Sequence, residues 1–203
     1  MLLVACGEQA TETAPSEPAS SLPGLPEGHP PIASGDSSGA VPPPPAGSGT
    51  GKAALEWLAP EGWIEESPAT QMRKAQYRIE GIEGVAECVI FYFGPGQGGD
   101  AQSNAARWAS QFAQPDGRDS RDVMKTSSLT LDEIEVLVIE VAGTYVGGMG
   151  GPGTAQKPGH MLLGAVATGP DANWFFKLTG PQATVEAQHE AFLGMVRSLK
   201  KSD

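Results

Sequence analysis

The spacing of hydrophobic and polar residues becomes regular from about residue 53 and predicts a series of β-strands. Residues 85–93 are largely apolar at both odd and even positions, which is typical of a strand packed on both faces in the middle of a sheet. Residues 73–79 alternate instead, which predicts a strand with one face in water. Further strands are predicted at 54–58, 123–130, 134–145, 161–168 and 174–179, with a tight turn at Leu131, Asp132 and Glu133.

Two segments, residues 100–114 and residues 182–199, change to the spacing of three to four residues that indicates a helix. Their apolar stripes are Ala101, Ala105, Trp108 and Phe112 in the first, and Val185, His189, Phe192, Val196 and Leu199 in the second. We interpret His189 as a histidine at the boundary of the core rather than as a catalytic base.

The order of these elements predicts the fold class of residues 53–203. Strands separated by short turns favour antiparallel pairing, and each amphipathic helix needs a face of the sheet. We therefore predict an α+β domain, with a mainly antiparallel sheet of six to seven strands flanked by helices in an α-β-α sandwich.

The first 50 residues have a different composition. They hold ten of the 18 prolines, five acidic residues, no Lys or Arg and no aromatic residue. Such a segment buries too little apolar surface to offset the entropy of ordering its chain. We predict that residues 7–52 form a disordered tether.

Residues 3–6 (Leu-Val-Ala-Cys) resemble a bacterial lipobox, in which the cysteine becomes lipidated after cleavage. The five residues before Cys6 include no base, so residues 1–6 are interpreted as the remnant of a lipoprotein signal. The alternative is a short apolar N-terminus with a chance cysteine. The first interpretation predicts a lipid-anchored protein of the bacterial envelope, at the outer membrane and facing the periplasm, whose acylated Cys6 contacts the bilayer.

The charge and the cysteines limit the classes of partner and cofactor. The net charge is −11 with a pI near 4.7, and the sequence contains no basic cluster that would indicate binding to nucleic acid. Cys6 and Cys88 are too few and too far apart for a disulfide scaffold, and no spacing indicates a metal site. We predict no cofactor, and we predict that Cys88 is a buried hydrophobic residue rather than a reactive thiol.

Several segments together resemble the PsbP/Mog1-like α-β-α sandwich domain of bacterial lipoproteins. They are residues 60–63 (Pro-Glu-Gly-Trp), residues 91–94 (Phe-Tyr-Phe-Gly), the helix that carries Trp108, and the closing helix behind residues 175–181. The resemblance covers roughly residues 54–200 and implies the fold and the envelope compartment. It implies no catalytic residue, since the fold's known members act mainly in binding or assembly.

Residues 94–99 form a GxGxxG sequence between the apolar strand and the first predicted helix. In one interpretation Gly94, Gly96 and Gly99 form an anion-binding loop, and the protein is a nucleotide- or anion-dependent enzyme. In the other they form a structural turn, with Asp100 as the N-cap of the helix. We favour the turn, because no βαβ unit is evident around the loop.

A glycine-rich connection between two predicted strands, residues 147–160, is longer than a hairpin needs. It is our candidate binding loop, and its alternative is a flexible insertion. The residues singled out in it are Gly147, Gly148, Met149, Gly150, Gly151 and His160. No nucleophile, base and orienting group combine elsewhere, so we predict a non-enzymatic module that binds an envelope protein or a small ligand.

Overall fold

The computed structural model of the chain describes residues 55–147 and 155–202, and an eight-stranded antiparallel sheet dominates them. Seven strands follow one another across the sheet in the order β2-β3-β4-β9-β8-β7-β5, and β6 also pairs with β7. The strands are β1 (Leu55–Glu56), β2 (Ile64–Glu66), β3 (Arg73–Ile79), β4 (Ala86–Tyr92), β5 (Phe112–Ala113), β6 (Lys125–Leu131), β7 (Ile134–Tyr145), β8 (Lys157–Thr168), β9 (Asn173–Pro181) and β10 (Lys200–Lys201). The helices are α1 (Ala101–Ala109), α2 (Ser120–Val123), α3 (Gln182–Ala187) and α4 (His189–Arg197).

The predicted α+β class and the antiparallel sheet are confirmed, while the number of strands differs slightly from the prediction. The main sheet has eight strands rather than six to seven. Strands β2 and β5 are too short to carry an alternating pattern. The strand predicted at 54–58 shrinks to β1, which pairs with β10 in a separate two-stranded sheet.

The C-terminal helices cover one face of the sheet, where they complete the larger hydrophobic cluster. Phe192 and Val196 of α4 pack there with Trp174 and Phe176 of β9. The single helix predicted over 182–199 is in fact α3 and α4, separated at Gln188. The Gln188 side chain accepts a 2.8 Å hydrogen bond from the Trp63 indole, which ties this break to the chain before β3.

On the opposite face of the sheet, the short helix α1 packs on β7 and β8. Trp108 of α1 and Phe175 of β9 belong to the smaller hydrophobic cluster on this face. The predicted helix 100–114 ends earlier, at Ala109, because Phe112 belongs to β5 and reaches the same cluster as a strand residue. Strands β3 and β4 therefore extend beyond the region that α1 covers.

Cys88 lies in β4 with no exposed surface, as the apolar pattern predicted. Burial raises the pKa of its thiol well above the ordinary value, so the group stays protonated and unreactive at neutral pH. Within residues 55–147 and 155–202, no helix is both long and apolar enough to cross a bilayer.

Candidate functional site

A groove lies on the face of the sheet that α1 leaves partly open. Its volume is about 340 Å³, and its lining includes Arg73, Glu87, Phe91, Tyr145, His160 and Lys177. These residues come from five strands, since Arg73 is on β3, Glu87 and Phe91 are on β4, Tyr145 is on β7, His160 is on β8 and Lys177 is on β9. We call this cavity the Lys177 groove.

Lys177 occupies the middle of the sheet, opposite Val89 on one side and Gly164 on the other. Its Nζ donates a 2.6 Å hydrogen bond to Oε1 of Gln111 and lies 5.9 Å from the ring centroid of Tyr145. Burial, with a smaller contribution from the charge of Arg107, lowers the pKa of Lys177 to about 8.

Arg73 forms the other cationic wall of the groove. Its Nη1 lies 3.1 Å from Oε1 of Glu87 and 2.6 Å from Oε1 of Gln76. Its guanidinium carbon lies 5.9 Å from the ring centroid of Phe91, within the range of a cation–π contact. The carboxylate of Glu87 is therefore engaged by Arg73, and none of the ion pairs among the described residues includes Lys177.

The charge of this groove is opposite in sign to that of the whole chain. Three basic side chains line it, Arg73, Lys157 and Lys177, against the one carboxylate of Glu87. The protein as a whole carries a net charge of −11. Because a partly buried cation is costly without a counter-charge, this arrangement favours an anionic group in the groove.

The first prediction concerns the energetic cost of this buried ammonium group. Lys177→Met should raise the free energy of unfolding at pH 7 by about 1–3 kcal/mol, since one pKa unit corresponds to about 1.4 kcal/mol. The lowered pKa of Lys177 means that the folded state binds fewer protons than the unfolded state between pH 8 and its ordinary value of 10.5. The stability of the wild type should therefore rise relative to the variant across that interval.

Chemical denaturation of both proteins at several pH values tests this prediction, with the exposed Lys74 as a matched control. Lys74→Met should change stability by less than about 0.5 kcal/mol. A Lys177→Met variant that is less stable than the wild type at pH 7 would contradict the buried, uncompensated charge.

The glycine loop at residues 94–99 is a turn stabilised by side chains at the start of α1. Asp100 caps α1, its Oδ1 accepting a 2.8 Å hydrogen bond from the backbone N–H of Ser103. Asn104 Nδ2 donates to the carbonyl oxygen of Gly98 at 2.7 Å. The backbone φ angles of its four glycines are positive, with values of 94° at Gly94, 69° at Gly96, 84° at Gly98 and 77° at Gly99.

The surroundings of this loop disfavour the dinucleotide interpretation. The preceding strand, β4, pairs antiparallel with both β3 and β9, so the loop lacks the parallel βαβ setting that such a site requires. The neighbouring cavity is lined by the carboxylates of Asp100 and Asp171, which oppose an anion.

The glycine-rich connection is shorter than predicted, and His160 is not part of it. Strand β8 begins at Lys157 and already pairs with β7 there, so His160 lies inside the strand, opposite Gly143 and Pro181. Gly147 has a positive φ of 85°. Gly148, Met149, Gly150 and Gly151 lie outside the described residues, and so do Cys6 and the tether.

The described residues that flank this connection nevertheless border the Lys177 groove. Tyr145, Lys157 and His160, which flank it, all line that cavity. The described residues on either side of the predicted binding element therefore line the groove, whereas the sequence analysis did not single out Arg73 or Lys177. One signal for Lys177 was present, a lone lysine within the apolar run of residues 174–178.

His189 is partly exposed, at the boundary of the core. Its Nε2 lies 3.2 Å from Oε1 of Glu140, and its Nδ1 lies 3.3 Å from Oε1 of Glu190. The hydrogen bond to Glu140 is the main cause of a raised pKa. Within the described part of the chain, no three His, Cys, Asp or Glu residues are grouped in a way that could hold a metal ion.

Comparison with known proteins adds information on the fold. No known family matches the sequence, and no curated protein does. Among solved structures, the chain is similar to cyanobacterial PsbP (CyanoP) from Synechocystis sp. PCC 6803, with 15% identity, a TM-score of 0.44 and coverage of 76% of this chain and 96% of that one. It is also similar to PA94 of Pseudomonas aeruginosa, described as a protein of unknown function and putative regulator, with 13% identity, a TM-score of 0.42 and coverage of 74% and 99%. Both similarities concern the fold alone.

Proposed function

We propose that this protein is a non-enzymatic binding module, tethered at the bacterial envelope, which holds a small ligand in the Lys177 groove. The observation that carries the proposal is the unequal covering of the sheet. Helices α3 and α4 complete one face, whereas α1 leaves a concave region on the other that contains a partly buried cation.

The dimensions of the groove favour a small molecule over a partner protein. A volume of about 340 Å³ falls at the lower end of the range typical of ligand pockets. Val89, which is 4% exposed, and the partly buried Phe91 give the groove an apolar floor, and polar groups stand at its sides. This combination of apolar surface with a few convergent polar groups is typical of binding sites.

The chemistry of the described residues supports binding rather than catalysis. The thiol of Cys88 is buried and protonated. His160 and Lys177 line the groove, and no serine or cysteine stands beside them as a nucleophile in that lining. Such a set of side chains can hold and orient a ligand.

The tether supplies the envelope location in this proposal and gives the second prediction. Cys6 should be lipidated, since each buried CH₂ contributes about 0.8 kcal/mol to membrane partitioning and several acyl chains anchor firmly. Metabolic labelling with a fatty-acid analogue measures this in cells. Cys6→Ser should abolish the label, with Cys88→Ser as the control that retains it, and equal labelling of Cys6→Ser and wild type would contradict the anchor.

The binding site itself is tested by chemical-shift mapping on the full 203-residue chain. The probes are three fragments of matched size, namely benzoate, benzamide and benzylamine. At least one should shift the backbone amide signals of Val89, Phe91, Lys177 and Thr179 in a saturable manner.

A pair of blocking variants makes this mapping specific. Thr179→Trp places a large side chain in the groove, because Thr179 lines it, and should remove the saturable shifts. Thr126→Trp changes an exposed residue of β6 that does not line the groove, and should leave them intact. If none of the three fragments shifts the groove, or if Thr179→Trp leaves the shifts unchanged, the proposed site is wrong.

A further inference from the structure

We propose that the Lys177 groove selects a small organic anion, a carboxylate carried on an apolar body, with Lys177 and Arg73 as the partners of the carboxylate. This inference rests on the proposed function and names its ligand class.

The charged side chains around the groove leave Lys177 without a counter-charge of its own. Lys177 and Arg73 face the groove, and Arg107 is near enough to Lys177 for its charge to contribute to the lowered pKa. Glu87 provides one negative charge and already pairs with Arg73. An anionic ligand would therefore supply the missing counter-charge of Lys177.

The donors that would hold a carboxylate are available. The Lys177 ammonium group has three N–H donors, and its hydrogen bond to Gln111 uses one. The guanidinium group of Arg73 uses Nη1 for both Gln76 and Glu87, and its Nε and Nη2 form no hydrogen bond with any described residue. Charge-assisted hydrogen bonds from such groups are the stronger kind.

The walls of the groove suit an apolar body next to the carboxylate. The ring of Phe91 lies beneath Arg73, and the ring of Tyr145 lies beside Lys177. Val89 occupies the floor opposite Lys177 in the strand register. Each cation is therefore adjacent to apolar surface that a purely inorganic anion would leave in contact with water.

The same features favour a carboxylate over a phosphate group. Phosphate sites are typically built from helix N-termini or successive backbone N–H groups. Here the backbone groups of β3, β4 and β9 are engaged in the antiparallel ladders, and side chains remain as the donors. The carboxylate of Glu87 also stands in the lining, where it would oppose a second negative charge on the ligand.

The test is a titration of the full chain with benzoate, benzamide and inorganic phosphate at pH 7, followed by the amide signals of Lys177 and Val89. Benzoate should bind about tenfold or more tightly than benzamide, because the charged group adds hydrogen bonds to ionised donors. Phosphate should bind about tenfold or more weakly than benzoate, since it forms no contact with the aromatic walls.

Variants assign the effect to the two cations. Lys177→Met and Arg73→Met should each raise the dissociation constant of benzoate by about tenfold or more. Lys74→Met should change it by less than about twofold, because exposed Lys74 lies 5.3 Å from the ring centroid of Tyr92, in the cluster beneath the other face. Because two different residues are substituted, a folding defect in one variant does not prevent the test with the other.

The outcomes separate this inference from the proposed function. If benzamide and benzoate bind in the groove equally tightly, the groove does not select an anion, and this inference is wrong while the proposed binding site stands. If phosphate binds as tightly as benzoate, the inference that the ligand carries an apolar group is wrong. Benzoate binding unchanged in both Lys177→Met and Arg73→Met would overturn the assigned partners, and the absence of groove shifts with every probe would remove both proposals.

Discussion

Trp108→Ala should lower the free energy of unfolding by about 3–5 kcal/mol, the usual cost of removing a buried tryptophan side chain. Trp108 is 3% exposed and is the largest side chain through which α1 contacts the sheet. Its ring lies directly over Gly164 of β8, where any Cβ atom would overlap it. It also packs edge-on against Phe175, with 6.5 Å between the ring centroids.

Loss of the Trp108 side chain should also disturb the position of Gln111 at the Lys177 groove. Gln111, the hydrogen-bond partner of Lys177, follows α1 directly and depends on the position of the helix. Urea denaturation measures the stability, and Gln102→Ala on the exposed side of α1 is the control, with an expected change within about 0.5 kcal/mol. A Trp108→Ala variant as stable as the control would show that α1 contributes little to this face.

Gly98→Val should be the second strongly destabilising change, at about 2–4 kcal/mol. Gly98 has a φ of 84°, which is strained for a β-branched residue. A Cβ atom at this position would also lie 2.7 Å from Cε2 of Phe175 and 2.9 Å from Cδ2 of Phe93. Backbone strain and overpacking therefore act together.

Gly96→Val separates these two causes. Gly96 also has a positive φ, 69°, but nothing lies within 4 Å of a Cβ atom built there. The variant should carry the backbone strain alone, about 1–3 kcal/mol, and unfold at a higher temperature than Gly98→Val. Equal destabilisation by both substitutions would contradict the packing of Gly98 against the two phenylalanines.

The elements with clear periodicity could be predicted from the sequence. The apolar pattern of residues 85–93 predicted a strand packed on both faces in the middle of the sheet. Strand β4 does lie between β3 and β9, but the face that carries Phe91 borders the Lys177 groove. The turn at Asp132, which has a positive φ of 50°, joins β6 and β7 as predicted. In both cases burial repeats along a single segment, so local spacing carries the information.

Shorter elements depend on distant contacts and could not be predicted in this way. Strand β5 has two residues and exists because Phe112 and Ala113 pair with Tyr145 and Thr144. The closing helix is interrupted at Gln188, where the side chain contacts Trp63, 125 residues earlier. Spacing within the helix cannot reveal that interruption, since the apolar stripe continues through it.

The Lys177 groove illustrates the same limit for the candidate site. Arg73 and Lys177 are separated by β4 in the sheet and by more than half of the described chain. The sequence shows Lys177 as a lone base in one strand and Arg73 beside Lys74 in another, and only the strand order brings Arg73 and Lys177 to one cavity. By contrast, the GxGxxG segment is a local pattern, and local hydrogen bonds explain it.

The most direct measurement of the central claim is the titration of the Lys177 side chain, followed by NMR of its Cε, without and with saturating benzoate. The ionisable groups that face or influence this amine are Arg73, Glu87, Arg107, Tyr145, Lys157 and His160. Without ligand, the pKa of Lys177 should lie at about 8 because of its burial. A bound carboxylate should raise that pKa toward its ordinary value, because the opposite charge stabilises the ammonium form. If benzoate shifts signals elsewhere in the protein but leaves the pKa of Lys177 unchanged, the assignment of this groove as an anion-binding site is wrong.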